Sequence, residues 1–291
     1  MSRADAFGKV NLSLLVGGRR SDGLHPIRSL TQSIDWPDHL VLEGAEEDSL
    51  VVDDPDLSDR GQNLAWRAVE AVREASRSPR PVSLTLEKRI PVAAGLGGGS
   101  ADAAAALRLA GTLFGAAPGD LEGLAPDLGA DVAFCLFGGT ALVEGAGERL
   151  TALPALDAGF LAVVVPPFPL DTAAVYGRWD ELGGPQGDGV AGRDLPPALR
   201  RIDEPIRNDL TPAAVAVEPR LGDWIADTTR TWGLPALMSG SGPALFGHFP
   251  TPSEAVDAVA AISGARAGRA CRPVGFGVRI VDEDGEAGRR R

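Results

Sequence analysis

The stretch "IPVAAGLGGGSADAAAAL", residues 90–107, places Gly95, Gly97, Gly98 and Gly99 within five positions and follows them with a serine, an aspartate and a run of alanines. Glycine loses more conformational freedom on folding than any other residue, so such a cluster must be compensated by something it makes possible. A flexible linker does not account for it, because both flanks carry strong secondary-structure signals. Upstream, "PVSLTLEKRI" alternates Val82, Leu84 and Leu86 with Ser83, Thr85 and Glu87, the period of a half-buried strand. Downstream, Ser100 is placed to cap a helix over "ADAAAALRLAGTLF", where Leu107, Ala110 and Leu113 recur at helical spacing until Gly115 stops it. The glycines therefore make a strand-to-helix turn.

A turn of this kind presents free backbone N–H groups and the positive end of a helix dipole, which together attract an anion. Phosphate is the natural guest, since the missing side chains let the backbone approach it closely. Two common phosphate loops are excluded. The Walker pattern needs a lysine after the glycines and none follows; the G-x-G-x-x-G fingerprint fails because Ser100 stands at its third glycine. A protein-kinase set is also missing, as the chain has no H-R-D or D-F-G.

At 291 residues the chain exceeds one typical domain, which predicts two, divided here at residues 1–152 and 153–291. The hydrophobic fraction of 44% is that of a globular protein, no apolar run is long enough to span a membrane, and "MSRADAFGKVNLSLLV" lacks the features of a signal peptide. The two cysteines, Cys135 and Cys271, form no disulfide framework and read as buried small apolar residues. These features predict a cytoplasmic protein; they leave its oligomeric state, monomer or homodimer, open. A net charge of −12 argues against nucleic acid as a partner.

An acidic protein that handles phosphates must concentrate positive charge locally. Of its 28 basic residues only Lys9 and Lys88 are lysines. A compact ammonium is not equivalent to a guanidinium, so both lysines are candidates for specific roles. In "KVNLSLLV", Val10, Leu12 and Leu14 lie on one strand face and Lys9, Asn11 and Ser13 on the other, so Lys9 and Asn11 point the same way.

The glycine stretch resembles the second motif of the galactokinase, homoserine kinase, mevalonate kinase and phosphomevalonate kinase superfamily, Pro-x-x-x-Gly-Leu-Gly-Ser/Gly-Ser/Gly-Ser. Pro91, Gly95, Leu96, Gly97, Gly98, Gly99 and Ser100 match it in order. Within that superfamily, "KVNLSL" and "GRRSDGLH" (Gly18, Arg19, Arg20, Asp22, Gly23, His25) resemble the start of the 4-diphosphocytidyl-2-C-methyl-D-erythritol kinases, with Leu24 where that family has an aromatic. "LGADVAFCLFGG" resembles its G-[AS]-D-[VI]-P-F, with Ala133 in place of proline, and "MSGSGPALF" the superfamily's third motif. The resemblance spans residues 5 to about 281.

The resemblance implies an α+β architecture, with a ribosomal-protein-S5-like N-terminal domain, a ferredoxin-like C-terminal domain and the active site between them. It implies ATP phosphates on the loop formed by Pro91, Val92, Ala93, Ala94, Gly95, Leu96, Gly97, Gly98, Gly99, Ser100 and Ala101, with Ser100 near Mg2+. It implies catalysis by Asp131 as base and Lys9 beside it, and a cytidine diphosphate alcohol as substrate, bound by Asn11, Leu24, His25 and Tyr176. Asp131 is expected at a helix-to-strand junction before an apolar strand "VAFCLF". By the same resemblance Asn63 and Lys88 flank adenine, although "NLAWRAVEAV" also makes Asn63 a natural helix N-cap. His25 is expected to hydrogen-bond the base, the alternative being a turn histidine facing water.

In the second half, "FLAVVVPPF" reads as a buried strand and "PQGDGVAGRDLPP" as a mobile loop. A helical pair interrupted near Pro219 follows, then a strand, glycine turn and strand over "LPALMSGSGPALFGHF", and a helix over "SEAVDAVAAI". The charged tail "DEDGEAGRRR" reads as disordered. The implied reaction is ATP-dependent phosphorylation of the 2-hydroxyl of 4-diphosphocytidyl-2-C-methyl-D-erythritol. Another alcohol kinase of the superfamily, or a catalytically silent nucleotide sensor, are the alternatives.

Overall fold

The computed structural model describes residues 1–156, 159–190 and 205–281. The chain opens with two long antiparallel strands, β1 (Ser2–Val16) and β2 (Ile27–Gly44). Their pairing slips between Phe7 and Lys9 and again between Asn11 and Ser13. Irregular pairing re-aims side chains, so Lys9, Val10 and Asn11 form a short segment with a register of its own.

Four further strands extend this sheet: β3 (Ser49–Val52), β4 (Val82–Glu87), β5 (Thr140–Gly145) and β6 (Arg149–Ala152). A second, antiparallel sheet holds β7 (Phe160–Val165), β8 (Leu237–Met238), β9 (Leu245–Phe249) and β10 (Ala267–Cys271) in the order β10-β7-β9-β8. The chain then returns to the first sheet, where β11 (Val278–Val281) pairs antiparallel with β1. A boundary after residue 152 thus leaves one strand of the second half in the first sheet.

The helices associated with the first sheet are α1 (Leu64–Ala75), α2 (Gly98–Phe114), α3 (Pro118–Leu128) and α4 (Val132–Phe137). Those of the second half are α5 (Thr172–Glu181), α6 (Thr211–Val217), α7 (Arg220–Trp232) and α8 (Pro252–Ala260). The alanine run gives α2 a slim surface, and Ala103, Ala104, Ala105 and Ala106 are fully buried in a core shared with Trp66 and Val69 of α1 and Leu84 and Leu86 of β4. Gly111 continues the close fit, since a Cβ there would stand 2.8 Å from Leu121 of α3. A separate core joins the two sheets: Val10, Leu30, Ile34, Ile90 and Leu96 pack with Leu161, Val163 and Phe246. That shared core fixes the walls of the cleft relative to each other.

One expected strand is a helix. "VAFCLF" forms α4, which begins after Asp131 and ends at Gly138, where φ is +76°. A six-residue apolar run is consistent with either a strand or a buried helix. The α4 residues Val132, Phe134, Cys135 and Leu136 are buried. The helical pair breaks at Glu218 and Pro219, as the proline anticipates. The expected mobile loop "PQGDGVAGRDLPP" lies partly outside the described residues and the tail "DEDGEAGRRR" wholly outside them. Among the described residues no helix is long and apolar enough to cross a membrane.

Candidate active site

The glycine loop joins β4 to α2, and α2 begins at Gly98 rather than after Ser100. Gly97, with φ +70°, occupies the cap position without a side-chain cap, so Ser100 sits in the first turn. The first helical bond runs from Ala101 N–H to the Gly97 carbonyl at 2.8 Å, and the amides of Gly98, Gly99 and Ser100 precede it. These three amides, with the helix dipole behind them, are donors free to receive an anion.

Three long-range contacts hold the loop. Lys9 N–H donates to the Leu96 carbonyl and Ala244 N–H to the Ala94 carbonyl, both at 2.9 Å, and Ser239 Oγ donates to the Gly95 carbonyl at 2.9 Å. Gly95 (φ +78°) lies so close to the turn between β8 and β9 that a Cβ would stand 2.3 Å from the Ser239 carbonyl oxygen. A Cβ on Gly97 would reach the Lys9 side chain at 3.0 Å. Two glycines therefore serve close approach, one to "MSGSGPALF" and one to Lys9. Asn208, buried, donates through Nδ2 to the carbonyls of Met238 (2.9 Å) and Gly240 (2.7 Å) and so fixes the second turn.

Lys9 Nζ lies 3.2 Å from Asp131 Oδ2 and donates to Asn11 Oδ1 at 2.6 Å. Asn11 is oriented in turn by Nδ2 donating to Ser29 Oγ at 2.8 Å. The Lys9 side chain is 4% exposed and that of Asp131 36%, so the carboxylate opens to the cleft and the ammonium backs it. Asp131 stands at the junction of α3 and α4, not before a strand, and meets Lys9 of β1 there.

A third group forms the opposite wall. His25, whose side chain is 6% exposed, makes a 2.8 Å contact between Nε2 and Asp180 Oδ1; a water-facing turn histidine is thereby excluded. Its ring lies 5.1 Å from that of Tyr176 at 30°, and Trp179 meets it edge-on at 5.5 Å. Burial, with the charge of Asp131 adding to it, pushes the Tyr176 phenol well above its usual range. Leu24 is 53% exposed. Thr172 Oγ1 and Ser241 Oγ, 2.8 Å apart, tie the start of α5 to the second glycine turn.

These groups share one cleft of about 770 Å3, and every predicted site residue lines it except Ala101. Ala101 is fully buried in the core that α2 shares with α1 and β4, while its neighbours Ser100 and Asp102 line the cleft. Asn63 is the N-cap of α1: Oδ1 accepts from Ala65 N–H (3.0 Å) and Trp66 N–H (3.2 Å), and Nδ2 donates to the Leu57 carbonyl at 2.9 Å. The Lys88 ammonium is held by Asp38 and, at 2.6 Å, by Asp102. Burial opposes its charge, but the two carboxylates outweigh it and raise its pKa. Burial drives Asp102 the same way, well above the carboxylate range, against the pull of Lys88.

Asp38, Asp102, Asp180, Asn208 and Ser239 were not singled out from the sequence. Each acts through a partner 14 or more residues away, so no local pattern marks it. Among the described residues no group of three or more His, Cys, Asp or Glu could hold a metal. A magnesium ion bound chiefly through nucleotide phosphates and one hydroxyl needs no such cage, and Ser100, on the cleft wall beside the free amides, fits that use.

A glycine turn at a helix start, facing a lysine–aspartate pair in a cleft between two sheets, is the arrangement of a small-molecule kinase of the GHMP type. Residues 63–139 match the GHMP kinases N terminal domain. The fold resembles that of a homoserine kinase from Cytophaga hutchinsonii with a TM-score of 0.68 at 18% identity, covering 96% of this chain and 97% of that one. A curated 4-diphosphocytidyl-2-C-methyl-D-erythritol kinase from Symbiobacterium thermophilum is 40% identical over 258 residues, 84% of this chain and 90% of the relative. A crystal structure of 4-(cytidine 5'-diphospho)-2C-methyl-D-erythritol kinase is 37% identical, with a TM-score of 0.74 over 92% of this chain and 98% of that one. The chain belongs to the 4-diphosphocytidyl-2-C-methyl-D-erythritol kinase family.

Proposed function

We propose that this kinase transfers the γ-phosphoryl group of ATP to the 2-hydroxyl of 4-diphosphocytidyl-2-C-methyl-D-erythritol, in the cytoplasmic non-mevalonate route to isoprenoid precursors. The observation that carries the reading is the 3.2 Å Lys9–Asp131 pair, which shares its cleft with the free amides of the glycine turn and with the His25–Tyr176 wall. Asp131 takes the hydroxyl proton as the oxygen attacks the γ-phosphorus and the bond to ADP breaks. Lys9, 3.2 Å from Asp131 Oδ2, orients that carboxylate and offsets charge on the transferring group. The amides of Gly98, Gly99 and Ser100 hold the phosphates, so positioning and electrostatics supply most of the rate. The Ser100 hydroxyl would hold a magnesium ion together with the nucleotide, and that ion would supply charge neutralisation to the phosphates.

On the acceptor side, Tyr176 offers a ring to the cytosine and Leu24 an apolar face opposite. His25, steadied by Asp180, hydrogen-bonds the base. Leu24 also favours a second reading, a different alcohol acceptor, because it lacks the ring that cytosine would stack on. Asp131→Asn tests the mechanism: turnover falls by roughly two to four orders of magnitude, the usual worth of a positioned base, while ATP affinity by calorimetry is nearly unchanged. Near-normal turnover would remove Asp131 from the reaction.

A further inference from the structure

The glycine loop is held at both of its ends by one buried cluster. Asp38, at the middle of β2 and fully buried, accepts through Oδ1 from the amides of Arg89 and Ile90, the last residues before Pro91. Its other oxygen takes the ammonium of Lys88. The same ammonium reaches across to Asp102, in the second turn of α2 just past the loop. Lys88 Nζ also lies 3.3 Å from where a Cβ on Gly98 would stand, directly beneath the start of the helix.

The cluster is a poor device for stability. Two carboxylates share one ammonium away from water, and Asp102 Oδ1 is buried without a hydrogen-bond partner. Replacing buried ion groups of this kind by apolar side chains is often neutral or stabilising, and an orphaned buried acceptor is costly in itself. What the cluster does secure is geometry. It ties the end of β4, the strand β2 and the first turns of α2 into one unit, with the anion-binding amides between its two attachments.

We propose that Lys88, Asp38 and Asp102 are positioning residues that lock both ends of the phosphate loop, acting on ATP through the loop. The reading rests on the nucleotide half of the proposed function and is independent of the acceptor. Its test compares Lys88→Arg, Lys88→Met and Asp102→Ala with the native chain by amide hydrogen exchange in the free protein at Lys9, Ala101 and Ala244, whose N–H groups bond the loop carbonyls of Leu96, Gly97 and Ala94, and by KM for ATP and for the cytidine substrate. Lys88→Met and Asp102→Ala should speed exchange at these amides at least tenfold while the strands of the second sheet stay protected. They should raise KM for ATP at least tenfold and leave KM for the acceptor within twofold. Lys88→Arg should recover most of both. Unchanged exchange at these amides, or equal rises in both KM values with a lowered Tm, would reduce the cluster to a structural role. The exchange measurement needs neither substrate, so a chain that proved inactive on the cytidine acceptor would overturn the proposed function and leave this test standing.

Discussion

Lys9 and Asn11 face the same way because they are two apart on a strand, and their 2.6 Å bond is the direct expression of that spacing. The pairing of Lys9 with Asp131 was not a matter of spacing. It depends on the fold, which sets β1 against the junction of α3 and α4 and which no pattern in the sequence announces. The same division holds at the His25 wall of the cleft, where Tyr176 and Asp180 share a face of α5 by helical spacing but meet His25 only through the fold. Leu24 yields a quantitative expectation. An aromatic ring in an aromatic pair contributes about 0.5–1.5 kcal/mol beyond its area, so Leu24→Tyr should lower KM for the cytidine substrate by roughly twofold to tenfold in steady-state assays, with KM for ATP unchanged. A fall in both would show that Leu24 is not specific to the acceptor.

Elements with strong punctuation were legible in the sequence. β4, α2 with its Gly115 stop and the helical pair around Pro219 all follow from period, propensity and breakers. α4 was not, because six apolar residues carry no decisive period and burial within the fold decides their conformation. The glycine loop was legible as a strand-to-helix turn, whereas its seat was not: Gly95 is required by the Ser239 carbonyl, 144 residues away. Gly95→Ala should therefore lower kcat/KM for ATP by at least tenfold and reduce Tm, since a Cβ there strains both turns at once. At the opposite end of α1, Arg73 donates to both oxygens of Asp48 at 2.6 and 2.8 Å, and that pairing holds the Asp48 carboxyl below its ordinary pKa. A depressed carboxyl contributes stability above the unfolded pKa of about 3.9 and loses it as pH falls through the folded value. Urea unfolding should thus find Asp48→Asn less stable by about 1 kcal/mol at pH 7, with the gap closing below pH 4.

Over the whole molecule the two sheets are not independent halves. A core from Val10 to Phe246 runs between them, and β11 carries the chain back to the first sheet beside β1. Two domains follow from length, but the return of the last strand comes only from the fold. Its approach seats α4: Gly277 lies so close to it that a Cβ would stand 1.8 Å from the Cys135 carbonyl oxygen, while the Gly277 carbonyl accepts from Phe7 N–H at 2.8 Å. Gly277→Ala should destabilise the protein by about 2 kcal/mol or more in urea unfolding. Because α4 begins beside Asp131, it should also lower kcat more than it raises either KM.

The cleft as a whole makes one claim above the others, that this geometry passes phosphate from ATP to the 2-hydroxyl of a cytidine diphosphate alcohol. Phosphorus NMR of the products formed from ATP with 4-diphosphocytidyl-2-C-methyl-D-erythritol, homoserine and mevalonate, each offered separately with magnesium, tests it directly. A new phosphomonoester on the 2-hydroxyl of the cytidine compound is expected, formed with a kcat/KM far above that for either other alcohol. Equal or preferred phosphorylation of homoserine or mevalonate would contradict it.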